Sequence, residues 1–161
     1  MIIKSSSLLY LFDFDGTLAG TDLWKGYYSN AKAAFQQLHF NPNQLDIRWC
    51  ILTSRPEIDR PLIKLLCRYH NLNPQQIIMG PTFTWKFKHT DEIAKYKSNV
   101  IKSILTDNYD IGYTYHKIEK VIYIDNDSEI TIPMNSYRDG YQYIAINVPD
   151  LLLGNMQEVI L

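Results

Sequence analysis

Nothing in this 161-residue sequence approaches a membrane span; the longest apolar runs are short and strand-like. An excess of charge of one sign is also missing, since 16 Lys and Arg face 17 Asp and Glu for a formal net charge of -1. That balance excludes a global basic field that would recruit nucleic acid or an anionic membrane, leaving room only for a local patch. Cysteine is scarce. Cys50 and Cys67 cannot build a disulfide framework and read as buried thiols in a reducing compartment, so a cytoplasmic location is expected. The opening stretch MIIKSSSLLYLFDFD has one Lys and a short apolar run that meets acids at once, so no signal peptide is expected. The four histidines, His39, His70, His89 and His116, are scattered and show no metal-ligand spacing. Internal repeats, low-complexity tracts and interdomain linkers are absent as well.

What is present is the composition of a globular chain, 46% hydrophobic and 20% charged. The length fits a single domain over residues 1–161 with one sizeable core. Strand-like and helix-like segments alternate, which predicts an α/β fold with a mainly parallel, five-stranded, Rossmann-like sheet. The expected strands are Leu8 to Phe14, Trp49 to Leu52, Gln76 to Met79, Val121 to Ile124 and Tyr143 to Val148. Between them Ala31, Ala34, Phe35 and Leu38 recur at helical spacing. A second helix starts from Asp59 as N-cap, with Pro61 in its first turn and Leu62, Leu65, Leu66 and Tyr69 as its apolar face. A third starts at Thr90 and carries Ile93, Tyr96, Val100, Ile101, Ile104 and Leu105 along one side. Phe83 to Lys88 alternates aromatic and polar residues like a small flap, and the tail from Leu151 reads as a short cover.

The chemistry concentrates at strand ends, where open parallel sheets bind ligands. The first strand runs into Asp13-Phe14-Asp15-Gly16-Thr17. Alternation turns Asp13 and Asp15 the same way, and two close carboxylates need a cation or a shared proton. A bare D-x-D is usually an acidic turn, but D-x-D-G-T after a buried strand is far more specific. The second strand ends in Leu52-Thr53-Ser54-Arg55-Pro56 and the fourth in Asp125-Asn126-Asp127-Ser128. By itself Thr53 is equally well a hydroxyl capping a turn. Asn126-Asp127-Ser128 also spells a glycosylation sequon, which an intracellular loop would not use.

With these motifs in this order, most of the chain resembles the haloacid dehalogenase (HAD) superfamily of phosphohydrolases. The resemblance implies a three-layer HAD fold with Asp13 on a central strand. It implies an Mg²⁺-dependent phosphatase in which Asp13 is the nucleophile and Asp15 the general acid and base, with a covalent aspartyl-phosphate dividing one hard displacement into two. Thr53, with Ser54 beside it, would bind phosphoryl oxygens, and Arg55 would add charge-assisted contacts. The family's third motif is a lysine, and four lie in the window. Lys97 is selected because an apolar helical face follows it, and Lys88 is the runner-up. Asp13, Asp15 and Asp125 would hold Mg²⁺. The paired-acid form of the fourth motif has Asp where this chain has Asn126, so Asp127 either replaces it as a ligand or caps the next turn.

The intervals between motifs are short. About thirty residues separate Leu18 from Trp49, and helix and strand consume most of the forty from Pro56 to Lys97, which leaves no room for a substantial cap domain. An open site implies a phosphorylated substrate that is bulky, or a partner that completes the enclosure. Trp24, Tyr27, Tyr28, Trp85 and Phe87 lie in the two insertions flanking the site, either to stack on a base or sugar or to anchor the loops. The L-T-S-R-P motif and the Lys-rich segment from Lys86 to Lys102 resemble the branch that processes polynucleotide ends, so a 3′-phosphatase of nucleic-acid repair is the named alternative to a small-molecule phosphatase. A non-catalytic phosphate-binding domain is the rival from another class. Intact Asp13, Asp15 and Thr53 argue against it, because a lapsed enzyme no longer needs them.

Overall fold

The computed structural model describes residues 7–18, 42–45, 47–81, 90–106 and 117–147. Five strands, β1 (Leu8–Phe12), β2 (Trp49–Pro56), β3 (Ile77–Gly80), β4 (Lys120–Asp125) and β5 (Tyr143–Asn147), form one sheet in the order β3-β2-β1-β4-β5. Every pairing is parallel. Helices α1 (Arg60–Tyr69), α2 (Thr90–Leu105) and α3 (Ser128–Ser136) cover it. This is the expected α/β, Rossmann-like architecture with β1 at the centre.

Strand parity builds the three layers. On β1 the side chains of Tyr10 and Phe12 join Trp49 and Ile51 of β2 and pack against Ile63, Leu66 and Cys67 of α1. Leu9 and Leu11 face the other way with Cys50, Leu52, Val121 and Tyr123, and meet Ala94, Ile101 and Ile104 of α2 and Met134 of α3. Both faces are covered, which is why the strands read as near-continuous apolar runs. Each fully buried side chain such as Leu9, Leu11, Ile51 or Leu52 contributes roughly 1.5–3 kcal/mol. A one-residue slip would invert all of them, so the register that aims the residues after β1 is firmly held.

Several boundaries differ from the sequence reading. β2 runs four residues past Leu52, to Pro56, with a register shift against β3 between Leu52 and Pro56. Such irregularities re-aim side chains beside functional sites. Gly80 makes this close approach feasible: a Cβ there would sit 2.3 Å from the Ser54 carbonyl oxygen. On α1 the buried residues are Ile63, Leu66 and Cys67, while Leu65 and Tyr69 are exposed. The expected face was rotated because, in a ten-residue helix, two overlapping sets of apolar residues share Leu66. Asp59 does occupy the N-cap position, but its side chain makes no cap bond. α3 had no counterpart in the sequence reading. The expected helix around Ala31 to Leu38, the flap from Phe83 to Lys88, residues 19–41 and 82–89 of the two intervals in which a cap would be inserted (with Trp24, Tyr27, Tyr28, Trp85 and Phe87), and the tail from Leu151 lie outside the described residues.

Candidate active site

The site lies beyond the carboxyl ends of β1, β2 and β4. Continuing the parity that turns Leu9, Leu11, Cys50, Leu52, Val121 and Tyr123 toward α2, the positions Asp13, Ser54 and Asp125 follow on the same side. A cleft of about 520 Å³ is lined there by Asp13, Asp15, Ser54, Lys97, Asp125 and Asn126, among others. The Asp13 N–H still donates to the Ile124 carbonyl at 2.9 Å, so the sheet itself places this carboxylate. Gly16, at φ 78°, then turns the chain through a conformation that only glycine adopts readily.

Lys97 descends from α2 into the carboxylates. Only 2% exposed, it donates from Nζ to Asp13 at 2.8 Å, to the Tyr123 hydroxyl at 2.5 Å and to Asp125 at 3.3 Å. The Tyr123 hydroxyl in turn donates to Asp125 Oδ2. Burial pushes Asp13 up to about 8, the Asp125 charge adds to the rise, and Lys97 opposes it. Burial alone would lower Lys97, but Asp13 and Asp125 outweigh it and raise the ammonium to about 12. Burial and the Asp125 charge also drive the Tyr123 phenol well above its ordinary value, so it acts as a hydrogen-bond donor. Lys88, the other lysine considered, lies outside the described residues.

Arg55 and Thr53 are placed differently from the expectation that they face a substrate. The Arg55 guanidinium is 1% exposed and holds Asp15 with two parallel bonds, Nε to Oδ2 at 2.7 Å and Nη2 to Oδ1 at 2.8 Å. Its Nη1 donates to Asp59 at 3.1 Å. Burial and then the Asp15 charge raise the Asp59 carboxyl. Thr53 is buried, and its hydroxyl accepts the Arg55 N–H at 3.1 Å. Parity explains the exchange: Ser54 shares the cleft side with Leu52, while its two neighbours turn toward α1.

The fourth strand's loop is tied to the first. Thr17 Oγ1 accepts the Asn126 N–H at 3.1 Å and donates to Asn126 Oδ1 at 3.3 Å. Asn126 thereby acts as a clasp through its backbone N–H and its side-chain oxygen. Asp127 caps α3, accepting the Glu129 N–H at 2.9 Å. Asp125 Oδ1 accepts the Asp127 N–H at 3.0 Å. Tyr123 and Asp59 were missed as site residues. Tyr123 had a sequence signal, being the aromatic two residues before Asp125 on the same side of an otherwise aliphatic strand.

The donor set suits a hard cation that keeps most of its water. Among the described residues no three acidic, His or Cys side chains converge into a protein cage. Two buried carboxylates, Asp13 and Asp125, share a single ammonium. One or two carboxylates with retained waters is the usual protein contribution to Mg²⁺ binding.

No protein-family profile and no curated protein matches the chain. Solved structures do. A chain in the "Structure of Pnkp1/Rnl/Hen1 complex" is 16% identical with a TM-score of 0.56, over 91% of this chain and 47% of that one. A chain in the "Structure of the Pnkp1/Rnl/Hen1 RNA repair complex" is 16% identical with a TM-score of 0.51, over 89% of this chain and 43% of that one. This chain thus spans less than half the length of both. The HAD domain of the Legionella pneumophila effector Lem4 is 15% identical over 96% and 93% of the two chains, at a looser TM-score of 0.46. At these identities the likeness is one of fold.

Proposed function

We propose that the chain is an Mg²⁺-dependent, HAD-type phosphatase that hydrolyses phosphomonoesters through an aspartyl-phosphate on Asp13. The observation that carries this reading is the buried Lys97 bridging Asp13 and Asp125 at the mouth of a strand-end cleft. Asp13, Asp125 and the Asp15 backbone carbonyl would hold the ion. When bound, Mg²⁺ would oppose the burial and the Asp125 charge that otherwise hold a proton on Asp13, and would neutralise the phosphate.

The residues then divide the work. Lys97 orients Asp13 Oδ1 and lends its charge to phosphoryl oxygens as the Asp13 carboxylate attacks phosphorus and the ester oxygen leaves. Asp15 supplies the proton to that oxygen, then removes one from the water that splits the acyl-phosphate and frees orthophosphate and Asp13. Arg55 is a positioning residue: its two bonds fix the Asp15 carboxylate plane, and Asp59 holds Arg55. Ser54 donates its hydroxyl to the phosphoryl group from the cleft wall.

A polynucleotide-end phosphatase is the second reading, favoured by fold neighbours that belong to a complex described as one of RNA repair. The test is turnover of an aryl phosphate, a mononucleotide and a 3′-phosphorylated oligonucleotide, with Mg²⁺ and with chelator. Mg²⁺-dependent release of phosphate that Asp13→Asn abolishes supports the reading. A folded protein inert toward all three would instead favour a non-catalytic phosphate-binding domain.

A further inference from the structure

The net charge of -1 conceals a sharp asymmetry. From Arg60 to Thr90 the sequence contains no Asp or Glu but five of its 16 Lys and Arg, leaving eleven against 17 acids elsewhere. The described part of this acid-free run is α1 and β3, and β3 is an edge of the sheet among the described residues. Between α1 and the segment that leads from it into β3 lies a groove of about 610 Å³ lined by Arg60, Lys64, Arg68 and the amides Asn71, Asn73 and Gln75, among others.

The three cations recur every four residues, so they form a stripe stepping about 6 Å along the helix. That step is comparable to the separation of consecutive phosphates in an extended strand. Arg60 is fixed by the Glu57 carboxylate and by the Ile77 carbonyl at 2.9 Å. Lys64 and Arg68 are exposed and make no ion pair among the described residues. Tyr69, 62% exposed, lies outside the groove's lining, with its ring edge-to-face with His70. α1 starts five residues after Arg55, at the sheet end where the cleft opens, so one end of the stripe lies at the end of the sheet that bears the site.

We propose that the groove along α1 is a track for single-stranded nucleic acid, with Lys64 and Arg68 on successive backbone phosphates and the amides against sugars and bases. The cations answer the charge, and the neutral amides, which both donate and accept, favour a strand with sugars and bases over an acidic protein segment, which would ask for more cations. The inference deepens the phosphatase reading by naming its substrate class, but strand binding stands or falls without turnover.

The test is fluorescence anisotropy of the full chain with a short, mixed-sequence, labelled RNA carrying no terminal phosphate, at salt from 50 to 200 mM. Wild-type binding should weaken with salt, and the Lys64→Ala/Arg68→Ala pair should bind several-fold more weakly. Its negative slope of log affinity against log salt should be shallower by about 1.4, since each single-strand phosphate contact contributes about −0.7. Both side chains are exposed, so the pair should melt with the wild type and keep its aryl-phosphate turnover; should it melt early, Lys64→Gln and Arg68→Gln singly take its place. Unchanged affinity and slope in the variants would overturn the proposal, as would a polyglutamate peptide competing as well as RNA. RNA binding that depends on these residues in a chain without phosphatase turnover would end the phosphatase reading and leave the track standing.

Discussion

Replacing Lys97 with Met removes the cation that, among the described residues, pairs with both Asp13 and Asp125, while keeping most of the side-chain volume. The two carboxylates are 7% and 2% exposed and would be left buried without it. Breaking a buried ion pair in this way costs about 3–5 kcal/mol. For a chain of 161 residues each kcal/mol moves the melting midpoint by roughly 2–4 °C, so the variant should melt roughly 6–20 °C lower. The loss should also depend on pH. In the folded wild type Asp13 titrates at about 8 against 3.8 for an ordinary Asp, so the fold holds a proton that the unfolded chain releases. That contribution is complete below pH 3.8 and is lost as pH rises through 8. Without Lys97 the folded value rises further, because the ammonium was the group opposing it. The gap between variant and wild type should therefore widen from pH 5 to pH 8.5. Melting curves in chelator at both values measure it. A midpoint equal to the wild type, or a loss that is the same at both pH values, would show that Lys97 does not neutralise this buried pair.

Arg55→Lys keeps the charge but loses the fork that grips Asp15, so kcat should fall about 10- to 100-fold with little change in KM, as steady-state kinetics on an aryl phosphate would register. Thr17→Val removes both bonds to Asn126 and should lower stability by about 1–3 kcal/mol in urea titrations, with weaker Mg²⁺ activation because the Asp125 loop is no longer clasped. Tyr123→Phe removes the hydroxyl shared by Lys97 and Asp125; it should leave the fold intact but destabilise it by about 1–3 kcal/mol on the same titration. Chelation of wild-type protein should abolish turnover and added Mg²⁺ should restore it, with the apparent melting midpoint rising on Mg²⁺ addition.

How much could be read in advance depended on where the information resides. The five strands were legible because a parallel sheet covered on both faces demands contiguous apolar runs, and LLYLF and VIYI have few other uses. Asp13 and Asp15 stood out because they end such a run. α3 was not legible: SEITIPMNS carries β-branched residues and Pro133 inside the helix, and what sustains it is the Asp127 cap and the packing of Ile130 and Met134. The face of α1 was misread because Leu65 and Tyr69 have the right spacing but face away from the sheet. Arg55 and Asp59 illustrate a further limit. Each has a plausible local use, as a substrate contact and as a cap, and only the tertiary arrangement turns them toward each other and toward Asp15.

Phosphorylation of Asp13 is the step on which the proposed hydrolysis depends. In Asp15→Asn the water-activating base is lost while the nucleophile remains, so the intermediate should outlive its formation. Acid-quenched Asp15→Asn protein, mixed with an aryl phosphate and Mg²⁺, can be digested and its peptides mapped by mass spectrometry. A phosphoryl group on Asp13, absent from the Asp13→Asn/Asp15→Asn pair, is the predicted result. Turnover by the wild type with the phosphoryl group on another residue, or turnover retained in Asp13→Asn, would contradict it.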